Sequence, residues 1–411
     1  MAEYSLFDEL KERGIIAQCT DEEKVRELLD KGGATFYIGF DPTADSLHIG
    51  HFVSIVMMAR LQRAGHRPIA LMGGGTGKVG DPSGKTDMRR MLTDEEIQHN
   101  VDSFKKQLSR FIDFDKEEGG AVIVNNADWL LKLNYVDFLR DIGVHFSVNR
   151  MLAAECFKQR LERGLNFIEF NYMLMQSYDF YRLFKDYGCR LELGGDDQWS
   201  NIIGGVELVR RKEGEDVYGL TFSLLTTSEG IKMGKTVKGA VWLDENRTPP
   251  YELYQYLRNV ADADVIKCLK LLTFVPMEEI REMETWKDSK INEAKVRLAY
   301  EVTKMVHGAE AAYKAKAVSE SLFGGDADNE HMNTTVIPED MLKDGGAPLL
   351  DAMVLAKLIP SKGEGRRLIA QGGVTLDNEK VADPLYVIPG DKLAEGVIVR
   401  KGKKTFHKFR I

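Results

Sequence analysis

His48 and His51 stand three residues apart in His48-Ile49-Gly50-His51, directly after Asp41-Pro42-Thr43-Ala44-Asp45-Ser46-Leu47. Three apart on a helix, two imidazoles share a face, and at a helix N-terminus that face looks toward backbone amides that favour anions. Gly50 between them lets a flat ring or a phosphate approach the backbone closely. Metal binding is the other chemistry such a pair suggests, but no carboxylate or cysteine ligand stands beside it at helical spacing. Two surface histidines would look the same, so the pattern needs a second element to acquire meaning.

That element is Lys232-Met233-Gly234-Lys235-Thr236, two lysines flanking a glycine on a loop after Thr226–Gly230. Flexible ammonium groups suit transient neutralisation of a polyphosphate whose charge develops during reaction. A P-loop is excluded by spacing. Its leading glycine would fall at Val79 for Gly84-Lys85, at Glu229 for Gly234-Lys235 and at Met72 for Gly77-Lys78. A third group lies on Asn171–Asp179, where Tyr172, Gln176 and Asp179 share one helical face and need partners if buried.

These residues require a scaffold, and the flanking sequence supplies an alternating one. Ala34–Phe40, Pro68–Met72, Ala121–Asn125 and Cys189–Leu193 are short apolar runs that read as buried strands. Ile49–Leu61 and Val136–Ile142 read as helices between them. Such alternation predicts an α/β fold with a Rossmann-like parallel sheet, whose ligands bind at the carboxyl ends of the strands. The glycine-rich GGGTGKVGDPSG and Gly194-Gly195 fall at such ends. Beyond Asn246 the pattern turns helical, with Thr248-Pro249-Pro250 as a start and an apolar stripe Ile291, Ala294, Leu298, Val302, Met305 stopping at Gly308. Residues 324–348 are polar and glycine-rich and read as a linker. From Leu349, two short helices precede strand-like pieces of an α+β module.

The expected domains are therefore 1–245, 246–323 and 349–411, joined at 324–348. The 411 residues exceed one ordinary core. With 43% hydrophobic and 29% charged residues the chain is globular, and it has no apolar run long enough for a bilayer. Cys19, Cys156, Cys189 and Cys268 form no CxxC pair, which fits a reducing cytoplasm and no zinc site. Net charge is −8, but residues 351–411 carry 12 Lys/Arg against 7 Asp/Glu, or +5, leaving −13 on the rest. A basic tail on an acidic body suggests a local module for a polyanion.

The HIGH tetrapeptide and the KMGKT loop together resemble the two signatures of class I aminoacyl-tRNA synthetases, HIGH and KMSKS. The first matches letter for letter, and the second departs at Gly234 and Thr236. With Tyr37 on the first strand, the Tyr172/Gln176/Asp179 face and Gly194-Gly195-Asp196-Asp197-Gln198, the whole chain resembles tyrosyl-tRNA synthetases of bacterial type. The resemblance implies that Tyr37 and Asp179 hold the phenol of L-tyrosine. It implies that Tyr172, Gln176 and Asp81 hold the α-amino group, with Gln198 near the carboxylate. Gly39, Asp41, Gly50 and Asp197 would line the ATP side, Asp197 at the ribose. Thr43 and His48 would meet the γ-phosphate, His51 the adenosine side, and Thr236 would join the ATP contacts. Lys85, Arg89, Lys232 and Lys235 would neutralise departing pyrophosphate. It further implies Mg2+ with ATP, tRNA(Tyr) as partner, a homodimer touching through roughly residues 125–165 (Trp129, Leu133, Phe138 and Phe146 there suit contact or core equally), and a C-terminal RNA-binding module. The competing readings are a tryptophanyl-tRNA synthetase, an HxGH nucleotidylyltransferase and a tRNA- or intron-binding protein without catalysis.

Overall fold

The structure is a computed structural model and describes residues 5–81, 92–154, 157, 161, 164–236, 239–324, 334–342, 345–377, 379–402 and 405–411. Two compact units partition the chain, residues 1–313 and 314–411.

The first unit is organised by a six-stranded sheet in the order β1-β6-β5-β2-β3-β4. Its strands are β1 Ile16–Cys19, β2 Thr35–Phe40, β3 Arg67–Met72, β4 Val122–Asn125, β5 Leu191–Gly195 and β6 Tyr218–Phe222. β2 pairs in parallel with both β3 and β5, so the chain fills one side through β4 and then crosses back. The crevice at the carboxyl ends of β2 and β5 is thus a topological switch point, where α/β sheets bind ligands. Of the six strands, the four apolar runs predicted the central and β4-side strands to within two residues. The structure adds β6, parallel to β5, and β1, antiparallel to β6 at the edge, so the sheet is mixed rather than wholly parallel.

Helix α1, Ile49–Arg63, follows β2 and is buried almost all round, with Ile49, Phe52, Ile55 and Met58 fully covered. A helix apolar on every face belongs in a core, and this one fixes the His48–His51 tetrapeptide against the sheet. Its single buried cation, Arg60, donates to Glu9 (2.6 Å) and to the Thr273 carbonyl (2.7 Å). Helix α2, Phe167–Tyr187, runs through the predicted Tyr172/Gln176/Asp179 face and packs on α3, Trp199–Glu213.

The helical stretch begins with α4, Pro250–Arg258, capped by Pro249 rather than Thr248, whose hydroxyl instead accepts from the Trp242 amide (2.9 Å). It continues through α5, Asp262–Leu272, to α6, Ile291–His307, which stops at Gly308 as its stripe predicts. No helix among the described residues is long and apolar enough to cross a membrane.

In the second unit, helices Leu349–Leu355 and Lys362–Ala370 precede strands Val374–Leu376, Val397–Lys401 and Thr405–Arg410 of a five-stranded sheet. Within 324–348, read from sequence as linker, Thr334–Val336 pairs in parallel with Thr405–Arg410, and Gly346–Pro348 pairs with Val387–Pro389. The polar composition of that stretch reflects edge strands, which present one face to water.

Candidate active site

A cavity of about 470 Å³ opens at the switch point. It gathers Tyr37, Gly39, Asp41, Thr43, His48, Gly50, His51, Asp81, Tyr172, Gln176, Asp179, Asp197, Gln198 and Lys232, residues spread over most of the first unit's sequence. Lys235–Thr236 form a two-residue strand paired with Gly239–Ala240. Lys85 and Arg89 lie outside the described residues.

At the first-strand end, His48 caps α1 and its Nδ1 accepts from the Gly50 amide (3.0 Å). The His51 Nδ1 accepts from the His48 amide (3.3 Å), and the two rings stack at 3.9 Å. With Nδ1 accepting in each ring, the neutral imidazole carries its proton on Nε2. A Cβ at Gly50 would stand 2.7 Å from His48 Cε1, so this cap needs glycine. Trp242 meets His48 edge-on at 5.9 Å.

The lysine loop faces this cap. Lys232 Nζ lies 3.0 Å from Asp197 Oδ2, with 54% of the lysine side chain exposed. Gly234 occupies φ +94°, donates its amide to the Tyr256 hydroxyl (2.9 Å), and leaves only 2.5 Å between a hypothetical Cβ and Ile49 Cγ2. In this conformation a serine at 234, as in KMSKS, would be strained and would clash with Ile49.

The opposite end of the cavity is buried and carboxylate-rich. Asp179, 2% exposed, accepts from Trp129 Nε1 (2.7 Å) and Asn126 Nδ2 (2.8 Å). Burial raises its pKa to about 8; the two donors oppose the rise, and the nearby carboxylates Glu192 and Asp41 add to it. Asn126 also donates to Thr76 (3.0 Å), which donates to Asp41 (3.1 Å), to which the Tyr172 hydroxyl donates as well (3.2 Å). Gln198 donates to Asp81 (2.8 Å), and Gln176 donates its Nε2 to Glu192 Oε1 (3.0 Å). Three buried atoms here meet no hydrogen-bond geometry: the Tyr37 hydroxyl, Gln176 Oε1 and Glu192 Oε2. After burial, the nearby Glu192 carboxylate raises the Tyr37 pKa further. Buried polar atoms are nearly always paired, so orphans lining one cavity mark where a ligand's polar atoms belong.

Asn126, Trp129, Thr76, Glu192, Trp242 and Tyr256 are the residues that sequence reasoning missed. Asn125-Asn126 after a strand offered a weak signal, because polar residues at a strand's carboxyl end in such a sheet face its ligand crevice.

A model described as tRNA synthetases class I (W and Y) matches residues 30–324, and one described as the tyrosine--tRNA ligase SYY-like C-terminal domain matches residues 330–409. The tyrosine--tRNA ligase of Acetivibrio thermocellus is 64% identical over 408 residues, 99% of each chain. That of Clostridium perfringens is 60% identical over 405 residues, 98% of each. A C-terminally truncated mitochondrial tyrosyl-tRNA synthetase of Aspergillus nidulans matches with TM-score 0.70 at 30% identity, over 78% of this chain and 95% of that one. A tryptophanyl-tRNA synthetase of Encephalitozoon cuniculi bound to tryptophan shares the fold, with TM-score 0.54 at 13% identity over 75% of this chain and 87% of that one. By sheet, histidine cap and lysine loop, the fold is that of the class I aminoacyl-tRNA synthetases. The chain belongs to their W and Y family, on its tyrosine--tRNA ligase branch.

Proposed function

We propose that the cleft carries out both steps of a tyrosine--tRNA ligase, with the amino acid at the carboxylate-rich end and ATP between the histidine cap and the lysine loop. The chain activates L-tyrosine with ATP to tyrosyl-adenylate and pyrophosphate, then transfers tyrosine to the 3′ end of tRNA(Tyr). The substrate carboxylate is ionised at neutral pH and attacks the α-phosphorus without a protein nucleophile, so positioning and charge stabilisation suffice. The tRNA's terminal ribose hydroxyl next attacks the adenylate carbonyl and releases AMP.

The observation that carries this reading is the set of three orphaned buried atoms beside Asp179. A phenol between Tyr37 and Asp179 and an ammonium at Gln176 Oε1 would pair two of these three atoms, the Tyr37 hydroxyl and Gln176 Oε1. Tyr172 and Asp81 complete the ammonium site, and Gln198 meets the carboxylate. Gly39, Asp41 and Asp197 line the nucleotide side, where Asp197 takes the ribose once Lys232 turns to the phosphates. Thr43 and His48 bind the γ-phosphate, and Gly50 and His51 the adenosine side. Lys85, Arg89, Lys235 and Thr236 complete the phosphate contacts, and Mg2+ enters with ATP as part of that substrate. The protein works in the cytoplasm. Residues 1–245 catalyse, 246–323 face the anticodon side, and 349–411 bind tRNA.

A second copy of the chain is the partner that suits Leu131, Tyr135, Val136, Val144, Val148 and Phe167, each more than half exposed in the first unit. Trp129, Leu133, Phe138 and Phe146 pack instead into the core beneath them.

The test is truncation. A chain ending at residue 324 retains the whole first unit and should keep tyrosine-dependent pyrophosphate exchange while losing most tRNA charging. Raised salt should weaken charging by the full chain, since phosphate contacts release counterions. Charging that survives truncation would show that the basic tail is not the tRNA module.

A further inference from the structure

Glu192 has no role in the assignment above, yet it is 1% exposed on β5 and lines the amino-acid end of the cavity. A carboxylic acid so placed is costly unless it serves something. Its Oε1 accepts from Gln176 Nε2 at 3.0 Å, while Oε2 packs against Gly205, where a Cβ would approach to 3.2 Å. Gln176 is an amide whose two ends have opposite polarity, one donating and one accepting. A carboxylate only accepts, so it compels the amide nitrogen to face β5 and turns the carbonyl oxygen the other way. That carbonyl oxygen, Gln176 Oε1, is buried and without a partner.

We propose that Glu192 is the positioning residue of the ammonium site: it locks the amide of Gln176 so that Oε1, and not the repelling NH2, meets the substrate's α-ammonium group. The inference rests on the reading that Gln176 faces the ammonium. It assigns Glu192 no contact with the reacting atoms; its effect passes through Gln176. Burial raises the Glu192 pKa to about 7, and the Gln176 amide and then the Tyr37 hydroxyl oppose the rise, so measurement belongs at pH 8, on the ionised side of that value.

The experiment compares two ligands on the full chain at pH 8 by calorimetry: L-tyrosine and 3-(4-hydroxyphenyl)propionate, which lacks only the amino group. Glu192→Gln keeps the shape but lets either end of residue 192 face Gln176. It should weaken L-tyrosine by about five- to tenfold and leave the desamino ligand within about twofold. Unchanged desamino binding doubles as proof that the variant's pocket is folded. Gln176→Ala should weaken L-tyrosine as well, and Glu192→Gln added to it should cost less than about twofold more, because both act through one contact. If Gln176→Ala weakens L-tyrosine while Glu192→Gln does not, the positioning role is wrong and the ammonium assignment stands. Equal weakening of both ligands by Glu192→Gln would make Glu192 a merely structural acid. If Gln176→Ala leaves L-tyrosine binding intact, the ammonium assignment itself fails and takes the inference with it.

Discussion

At the end of the cleft proposed for the amino acid, Tyr37, Asp179 and Glu192 are each 2% exposed or less, and Asp179 is clamped by Trp129 and Asn126. At the end proposed for ATP, Lys232 leaves 54% of its side chain in water and pairs with Asp197. The first end buries its polar groups, including three atoms that make no hydrogen bond among the described residues. The second holds its charge on a loop strapped by Gly234 to Tyr256 and by the Ser228 amide to Asp264 (2.7 Å). The difference follows from the two tasks. Selecting one amino acid requires groups that cannot relax around the wrong one, whereas pyrophosphate must be gripped as it forms and then released.

Asp179→Asn should break the rigid end most severely. Both partners of Asp179 are donors, and an asparagine amide offers only one accepting end, so one buried donor must face another. The expected cost is about 3 kcal/mol or more, roughly a hundredfold in kcat/KM for tyrosine in pyrophosphate exchange. A loss under tenfold would mean that the clamp is adaptable and the contrast between the ends is overstated.

Lys232→Ala tests the other end. The exposed pair with Asp197 contributes about 1 kcal/mol or less to folding, so thermal stability should scarcely move. The rate of adenylate formation should fall by about thirty- to a hundredfold, with tyrosine affinity within twofold, because the charge matters only once pyrophosphate develops. A variant whose only defect is weaker tyrosine binding would place Lys232 at the wrong end of the cleft.

The two ends were not equally legible in the sequence. His48, Gly50 and His51, and the lysines of 232–236, are contiguous motifs whose spacing alone places them on a helix start and a loop. The Tyr172/Gln176/Asp179 face was visible because helical periodicity is local. What those side chains bond to was not. Asn126 and Glu192 reach the cavity, and Trp129 reaches Asp179, only after β4 and β5 are set either side of β2 and β3, and pairing order leaves no periodic trace. The edge strands escaped for a related reason. Ile16–Cys19 alternates too weakly around Gln18, with a register shift beside it, and Tyr218–Phe222 is interrupted by Gly219. Gly234 is a different kind of miss: the loop was recognised, but the strain a serine would meet there became plain only with φ +94° and the closeness of Ile49.

The smallest expected effect tests the contrast most sharply, because a single atom should push stability and selectivity in opposite directions. Tyr37 is buried on β2, its ring tilted against Phe180 at 5.4 Å, and its hydroxyl has no partner in the free protein. Burial and then the Glu192 carboxylate push its pKa well above the usual phenol range, so it remains a neutral hydroxyl at working pH. Folding therefore bears the desolvation cost of that oxygen with nothing in return until a ligand binds. Tyr37→Phe keeps the ring and removes the cost. The free protein should gain about 1 kcal/mol, seen as a rise of about 2 °C in Tm by calorimetry. With tyrosine bound, the wild-type hydroxyl is paired, so the variant should lose about 1–2 kcal/mol of preference for tyrosine over phenylalanine in relative kcat/KM. Saturating tyrosine should accordingly narrow or reverse the Tm gap between the two proteins. Should Tyr37→Phe instead lower the Tm of the free protein, the hydroxyl already has a stabilising partner, and the amino-acid end stores less unsatisfied polarity than the contrast requires.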